Sequence, residues 1–145
     1  MMKWLRKDKS KADLQAIKNA IIAHAEIDKN KISDEAFVTI GNQVTEFLRH
    51  YQDDFVRNEI YKLFSPFCES RLAEIEKAVN AKKFDLVKES VAVYLKALPQ
   101  NPIALNLLEK AIGLADEQGK LEDARALSEL LNRSETAKLE SSIKP

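Results

Sequence analysis

Two of the four prolines in this chain follow a residue able to cap a helix: Ser65-Pro66 and Asn101-Pro102, 36 positions apart. In each pair the side-chain oxygen can accept from first-turn amides, and proline suits the first helical position because its missing N–H has no partner there. Each pair also stops what precedes it, since the residue before a proline avoids the helical conformation. Leucine-rich runs flank the second pair in Tyr94–Lys110, "YLKALPQNPIALNLLEK". The prolines therefore read as punctuation between helices rather than as a linker between domains.

The rest of the chain fits that reading. Glycine is scarce, and alanine, leucine, lysine and glutamate are abundant, a balance that favours an all-α protein over a sheet. At 145 residues the chain suits one compact domain. Ser10 can cap a first helix, which carries Leu14, Ile17, Ile21 and Ala25 and fades near Asp28. "DKNK" is a polar turn, and Ser33 caps a second helix with Phe37, Ile40, Val44, Phe47, Leu48 and Tyr51 on one broad stripe. A third helix starts at Asp53 or Asp54, carries Val56, Ile60, Leu63 and Phe64, and stops at Pro66. A fourth then presents Phe67, Leu72, Ile75 and Val79, and a fifth Leu86, Val87, Val91, Tyr94 and Leu98. Asn101-Pro102 opens a sixth with Leu105, Leu108, Ile112 and Ala115, which Gly119 ends in the left-handed conformation. Leu121, Ala124, Leu127 and Leu131 form a seventh.

The second half of this series repeats. "KKFDLV" (82–87) and "GKLEDA" (119–124) lie 37 apart, each opening the second helix of a hairpin whose first helix begins at a proline. Tandem hairpins at a near-constant period mark a helical repeat. The residues resemble the tetratricopeptide (TPR) family over roughly 65–133. "YLKALPQNPIALNLL" looks like the end of one repeat, its closing proline at Pro99 and the start of the next; "GKLEDARAL" looks like the opening of a second repeat helix, with Gly119 in the turn and Ala124 at the small-residue position. The chain departs from the family in a spacing longer than its 34 residues, in Lys82 where the turn glycine is expected, and in Val87 where the small alanine is expected. Three hairpins are normally needed for a stable stack, so the second and third helices, or the first and second, would supply the third pair.

Charge and motifs exclude several classes of work. Formal charge is zero, so no global field draws nucleic acid. One cysteine, Cys68, rules out an internal disulfide framework and fits a reducing compartment. No apolar stretch approaches the roughly 20 residues of a membrane span, and the amino terminus lacks the pattern of a signal peptide, which makes the cytoplasm the expectation. Residues 1–9 form a basic arm in which Lys3, Arg6, Lys7 and Lys9, with Lys11 just beyond, surround Trp4 and Leu5; Met1, Met2, Trp4 and Leu5 offer too little apolar surface to hold a membrane alone. A flexible or partner-docking arm is the simpler reading.

Chemistry-bearing residues are few. The three glycines are isolated, and no cysteine–histidine spacing suggests zinc. Glu46, His50 and Asp54 would share a face and could hold a metal if the second helix ran on through Asp54, but they read more simply as a solvated stripe plus a cap. His24 reads as a packing residue, and Cys68 as a buried thiol, although its place near a helix start could lower its pKa. Phe47, Tyr51, Phe55, Phe64 and Phe67 read as core rather than as a base-stacking platform.

The expectation is thus an all-α protein of about seven helices: a three-helix module over 10–64, a TPR-like hairpin pair over 65–133 and a tail over 134–145. No cofactor, metal or catalytic group is assigned, and the chain is read as a non-enzyme. The resemblance implies a protein or peptide partner, engaged by Glu76, Lys83, Asn106, Glu109, Lys110 and Glu117 on the fourth and sixth helices. Their mixed signs do not suit a clamp for a peptide carboxylate, which wants a basic groove. The second reading is self-association as a homodimer through Leu121, Leu127, Leu130 and Leu131; the third is a metal protein using the Glu46 stripe.

Overall fold

The computed structural model describes the backbone of residues 2–143 and the side chains of residues 9–134. Among the described residues there are six α-helices: α1 (Met2–His24), α2 (Asp34–His50), α3 (Asp54–Asn80), α4 (Phe84–Ala97), α5 (Pro102–Glu117) and α6 (Leu121–Ile143). The all-α expectation holds, apart from one small antiparallel ladder between α1 and α2. There β1 (Ala25–Glu26) pairs with β2 (Lys31–Ile32) around a single 3-10 turn, Ile27–Lys29, which Asn30 closes in the left-handed conformation.

The count is six rather than seven because Pro66 does not stop a helix. It lies inside α3, which runs unbroken from Asp54 to Asn80. Proline removes one bond of the ladder, to the carbonyl of Lys62, but Lys62 is exposed and water can satisfy that group. Tertiary burial holds the helix together on either side: Val56, Ile60, Phe64, Phe67, Ile75, Ala78 and Val79 are all buried. That stripe keeps its phase straight through the proline. A second difference concerns the first helix. Nothing in residues 2–9 breaks a helix, so α1 begins at Met2 and Ser10 lies inside it, buried, rather than at its cap. The side chains of Trp4 and Leu5 lie outside the described residues. At the other end, α6 carries the backbone on through the expected tail to Ile143.

The chain divides into two compact units, Met1–Ser70 and Arg71–Pro145, and the division falls inside α3. In the first unit α1 packs on α2. Its core gathers Ile17 and Ile21 from α1, Phe37, Ile40, Val44 and Phe47 from α2, and Val56, Ile60, Phe64 and Phe67 from α3. The rings of Phe37 and Phe64 stack with centroids 5.3 Å apart. Ser33 caps α2, accepting from the Ala36 amide at 3.2 Å, and Asp53 caps α3, accepting from the Phe55 and Val56 amides. Arg57 closes the other end of α2: its Nη1 donates to the carbonyls of Leu48 (2.7 Å) and Tyr51 (3.0 Å), groups that no helical amide reaches. Of the aromatics expected in the core, Phe55 is instead 71% exposed, one residue into α3 and turned away from its apolar stripe, and Tyr51 is half-buried.

In the second unit α5 packs most extensively on α6, and α4 packs on both. Alanines allow the close approach: α5 buries Ala104, Leu108, Ala111 and Ala115, against α6's Ala124 and Leu127 and α4's Val87, Val91, Tyr94, Leu95 and Ala97. Asn101 caps α5 as the sequence suggests, accepting from the Ala104 amide at 3.0 Å with Pro102 at the first helical position. The Ser134 hydroxyl donates to the Pro99 carbonyl and ties α6 to the α4–α5 turn.

Candidate functional site

The two hairpin turns of the second unit have the same construction. Lys82 (φ 59°) and Gly119 (φ 70°), 37 positions apart, both take the left-handed conformation. The amide after each reaches back five residues, Lys83 to the Ala78 carbonyl at 3.0 Å and Lys120 to the Ala115 carbonyl at 2.9 Å. The amides of Lys82 and Gly119 themselves bond the carbonyls of Val79 and Asp116, both at 3.0 Å. This is the helix-ending motif in which a left-handed residue closes the last turn. The glycine that the TPR pattern expects at position 82 is absent, yet the backbone takes the glycine's conformation with a lysine there.

Along the outer side of this unit, α3 and α5 present a polar patch. Lys110 Nζ donates to Asn80 Oδ1 at 2.9 Å, which brings the end of α3 beside the middle of α5. Glu76 is one turn before Asn80 on α3, and Asn106 one turn before Lys110 on α5; both are exposed. Glu109 is exposed beside them. One turn beyond Glu109 stands Gly113, where no atom would meet an added Cβ within 4 Å, and Glu117 follows it, exposed. The exposed side chains along this stretch are carboxylates and an amide, beside the Lys110–Asn80 pair. Lys83 does not join it on a helix face: it precedes α4 in the α3–α4 turn.

The leucines expected to form a self-association face separate. Leu121 is 68% exposed, Leu130 and Leu131 are half-buried, and Leu127 is fully buried in the core of the unit. On a helix, 124, 127 and 131 share the inward face, while 121 lies at its edge.

The Glu46 stripe is likewise divided. Helix α2 ends at His50, and Asp54 begins α3 beyond a non-helical Tyr51–Asp53. His50 Nε2 and Glu46 Oε1 are 2.9 Å apart on an exposed surface, with Arg49 3.8 Å from the same carboxyl group. Among the described residues no group of three or more His, Cys, Asp and Glu is placed to hold a metal ion. Cys68 is half-buried deep inside α3 rather than near a helix start, so the dipole argument for its reactivity falls away with the uninterrupted helix. His24 is exposed at the end of α1 rather than packed.

Two polar contacts carry electrostatic consequences that the sequence did not reveal. Tyr51 Oη donates to Asp13 Oδ2 at 2.5 Å, joining the end of α2 to α1. Burial, and then the hydrogen bond and charge of Asp13, push the Tyr51 hydroxyl up to about 12. In the second unit Lys88 Nζ lies 2.9 Å from Asp123 on α6 and 3.0 Å from Asp85. The Asp123 hydrogen bond, then that of Asp85, raise the Lys88 pKa above its ordinary value against the opposing effect of burial. Both pairings are long-range or depend on helix rotation, and neither residue type marks a partner by itself.

Among the described residues no helix is long and apolar enough to cross a membrane. No family model, curated protein or solved structure matches the chain.

Proposed function

We propose that this protein is a TPR-like protein–protein interaction module, an adaptor, scaffold or small regulatory subunit acting in the cytoplasm, that binds a protein or peptide along the α3–α5 face. The observation that carries the reading is the like construction of the two turns at Lys82 and Gly119, with the same hydrogen bonds at a constant offset of 37 residues. Equivalent turns join each first helix to its second in the same manner, and stacked hairpins of this kind bind partners on the surface lined by their first helices. The exposure of Glu76, Asn106, Glu109, Lys110 and Glu117 supports it, because the core consumes none of them. Binding by such a surface needs no catalytic group.

The test is capture of partners from extract of the protein's own cells, with mass spectrometry, by the wild type and by a Glu76→Lys/Glu109→Lys variant. Both substitutions are at exposed positions, so the melting temperature should hold while the retained protein is lost. Equal retention by the two forms removes this face from the proposal.

A further inference from the structure

The internal repeat allows α4 and α6 to be compared position by position at the 37-residue offset. On α4, Phe84, Lys88, Ala92 and Leu95 form one stripe at spacings of four, four and three. All four are covered: Phe84 and Leu95 are 4% and 8% exposed, and Lys88 and Ala92 are half-buried. Lys88, in the middle of the stripe, reaches Asp123 on α6, so this face of α4 looks toward the hairpin that follows. The equivalent stripe on α6 is Leu121, Arg125, Glu129 and Asn132, and all four are exposed.

The chemistry of the substitutions follows the exposure. Phe84 and Lys88 have counterparts of similar type in Leu121 and Arg125, but Ala92 is replaced by Glu129 and Leu95 by Asn132. An unpartnered carboxylate is among the costliest groups to take out of water, and an amide without hydrogen-bond partners also resists burial. A further helix laid on α6 as α6 is laid on α4 would trap both. A helical stack needs such a polar end face to stay soluble.

We infer that the outer stripe of α6 is a built end face, kept in water by Glu129 and Asn132, which closes the stack to a further hairpin or a second copy of this chain. The inference rests on the repeat reading. It disfavours a homodimer built on Leu121; Leu130 and Leu131 lie off the stripe.

Light scattering of the full chain over a range of concentrations tests it, with no need of a partner. A Glu129→Ala/Asn132→Leu variant restores the α4 pattern, and its weight-average mass should climb from that of one chain toward two as concentration rises. A Glu129→Gln/Asn132→Asp variant, which keeps the stripe polar, should match the wild type, and Leu121→Lys should leave the wild-type mass unchanged at every concentration. Circular dichroism of each variant confirms the helical fold. A Glu129→Ala/Asn132→Leu variant that shows no more association than the wild type overturns the inference. A Leu121→Lys or Arg125→Glu change that dissociates a wild-type oligomer overturns it too, since the stripe would then be a contact. Partner capture reads the α3–α5 face separately, so either claim can fail alone.

Discussion

Lys82 holds a backbone conformation in which any Cβ crowds the following carbonyl, at a cost of about 1–2 kcal/mol for a residue other than glycine. The hydrogen bonds of the turn over-determine it, as they do at Gly119. Replacing Lys82 by glycine relieves the crowding but adds freedom to the unfolded chain, an opposing term of about 0.4–1 kcal/mol. Lys82→Gly should therefore stabilise the protein by about 0.5–1 kcal/mol, and Gly119→Ala should destabilise it by about as much, both read from urea unfolding. A destabilised Lys82→Gly variant would mean that the turn needs the lysine side chain. The sequence marked a turn at both places but announced the left-handed conformation only at Gly119, because a left-handed lysine has no local signature and is set by the helices on either side.

Helix α3 shows tertiary packing prevailing over a local stop signal. Proline in a helix interior costs about 3 kcal/mol relative to alanine. Pro66→Ala should restore the bond to the Lys62 carbonyl and raise stability by up to that amount, and a loss instead would show that the helix depends on a bend there. The clue was in the sequence: Val56, Ile60, Phe64 and Phe67 lead to Ile75 and Val79 without a phase shift, and such continuity argues for one helix more strongly than Ser65-Pro66 argues for two. Asn101-Pro102 carries the same local signal, yet there Pro99 precedes it and the chain turns. The exposed positions of the candidate face followed from helical periodicity, whereas the Lys110–Asn80 contact did not, since it depends on the register between two helices. Along α5 three variants test that phase together. Asn101→Ala should cost about 1 kcal/mol through the lost cap. Leu108→Ala should cost about 2–5 kcal/mol, because the side chain is fully buried and leaves a cavity. Lys110→Ala, which gives up only an exposed bond to Asn80, should fall within about 0.5 kcal/mol of the wild type. If Leu108→Ala proves as mild as Lys110→Ala, the inward face of α5 is wrongly placed.

At the scale of the whole molecule, equal numbers of acidic and basic residues leave no net field near neutrality, so pH acts on stability through particular groups. The described residues of each compact unit include a group whose proton is held more tightly in the folded state. For Tyr51 the folded value is about 12 against an ordinary 10.0, so between those values the folded protein keeps a proton that the unfolded chain has lost. Stability must then fall as pH rises, since the unfolded state binds fewer protons. The contribution is fully present below about pH 10 and is gone once pH passes about 12. Lys88 acts in the same direction: its folded pKa lies above 10.5, so the stabilising charge pair with Asp123 persists into alkaline solution and is lost only as pH climbs through that raised value. The expected outcome is an unfolding free energy that declines steeply above pH 10. Other tyrosines and lysines titrate in this range as well, and comparison with variants isolates the two groups. Tyr51→Phe, which keeps the ring and removes the hydroxyl, should be less stable than the wild type below pH 10 and should converge on it toward pH 12. Lys88→Met should converge in the same way as pH passes through the raised Lys88 value. Urea unfolding at pH steps from 8 to 12 provides the measurement. Curves for Tyr51→Phe and wild type that stay parallel across that span would mean that burial and Asp13 together hold the tyrosine proton no more tightly in the folded protein than in the unfolded chain.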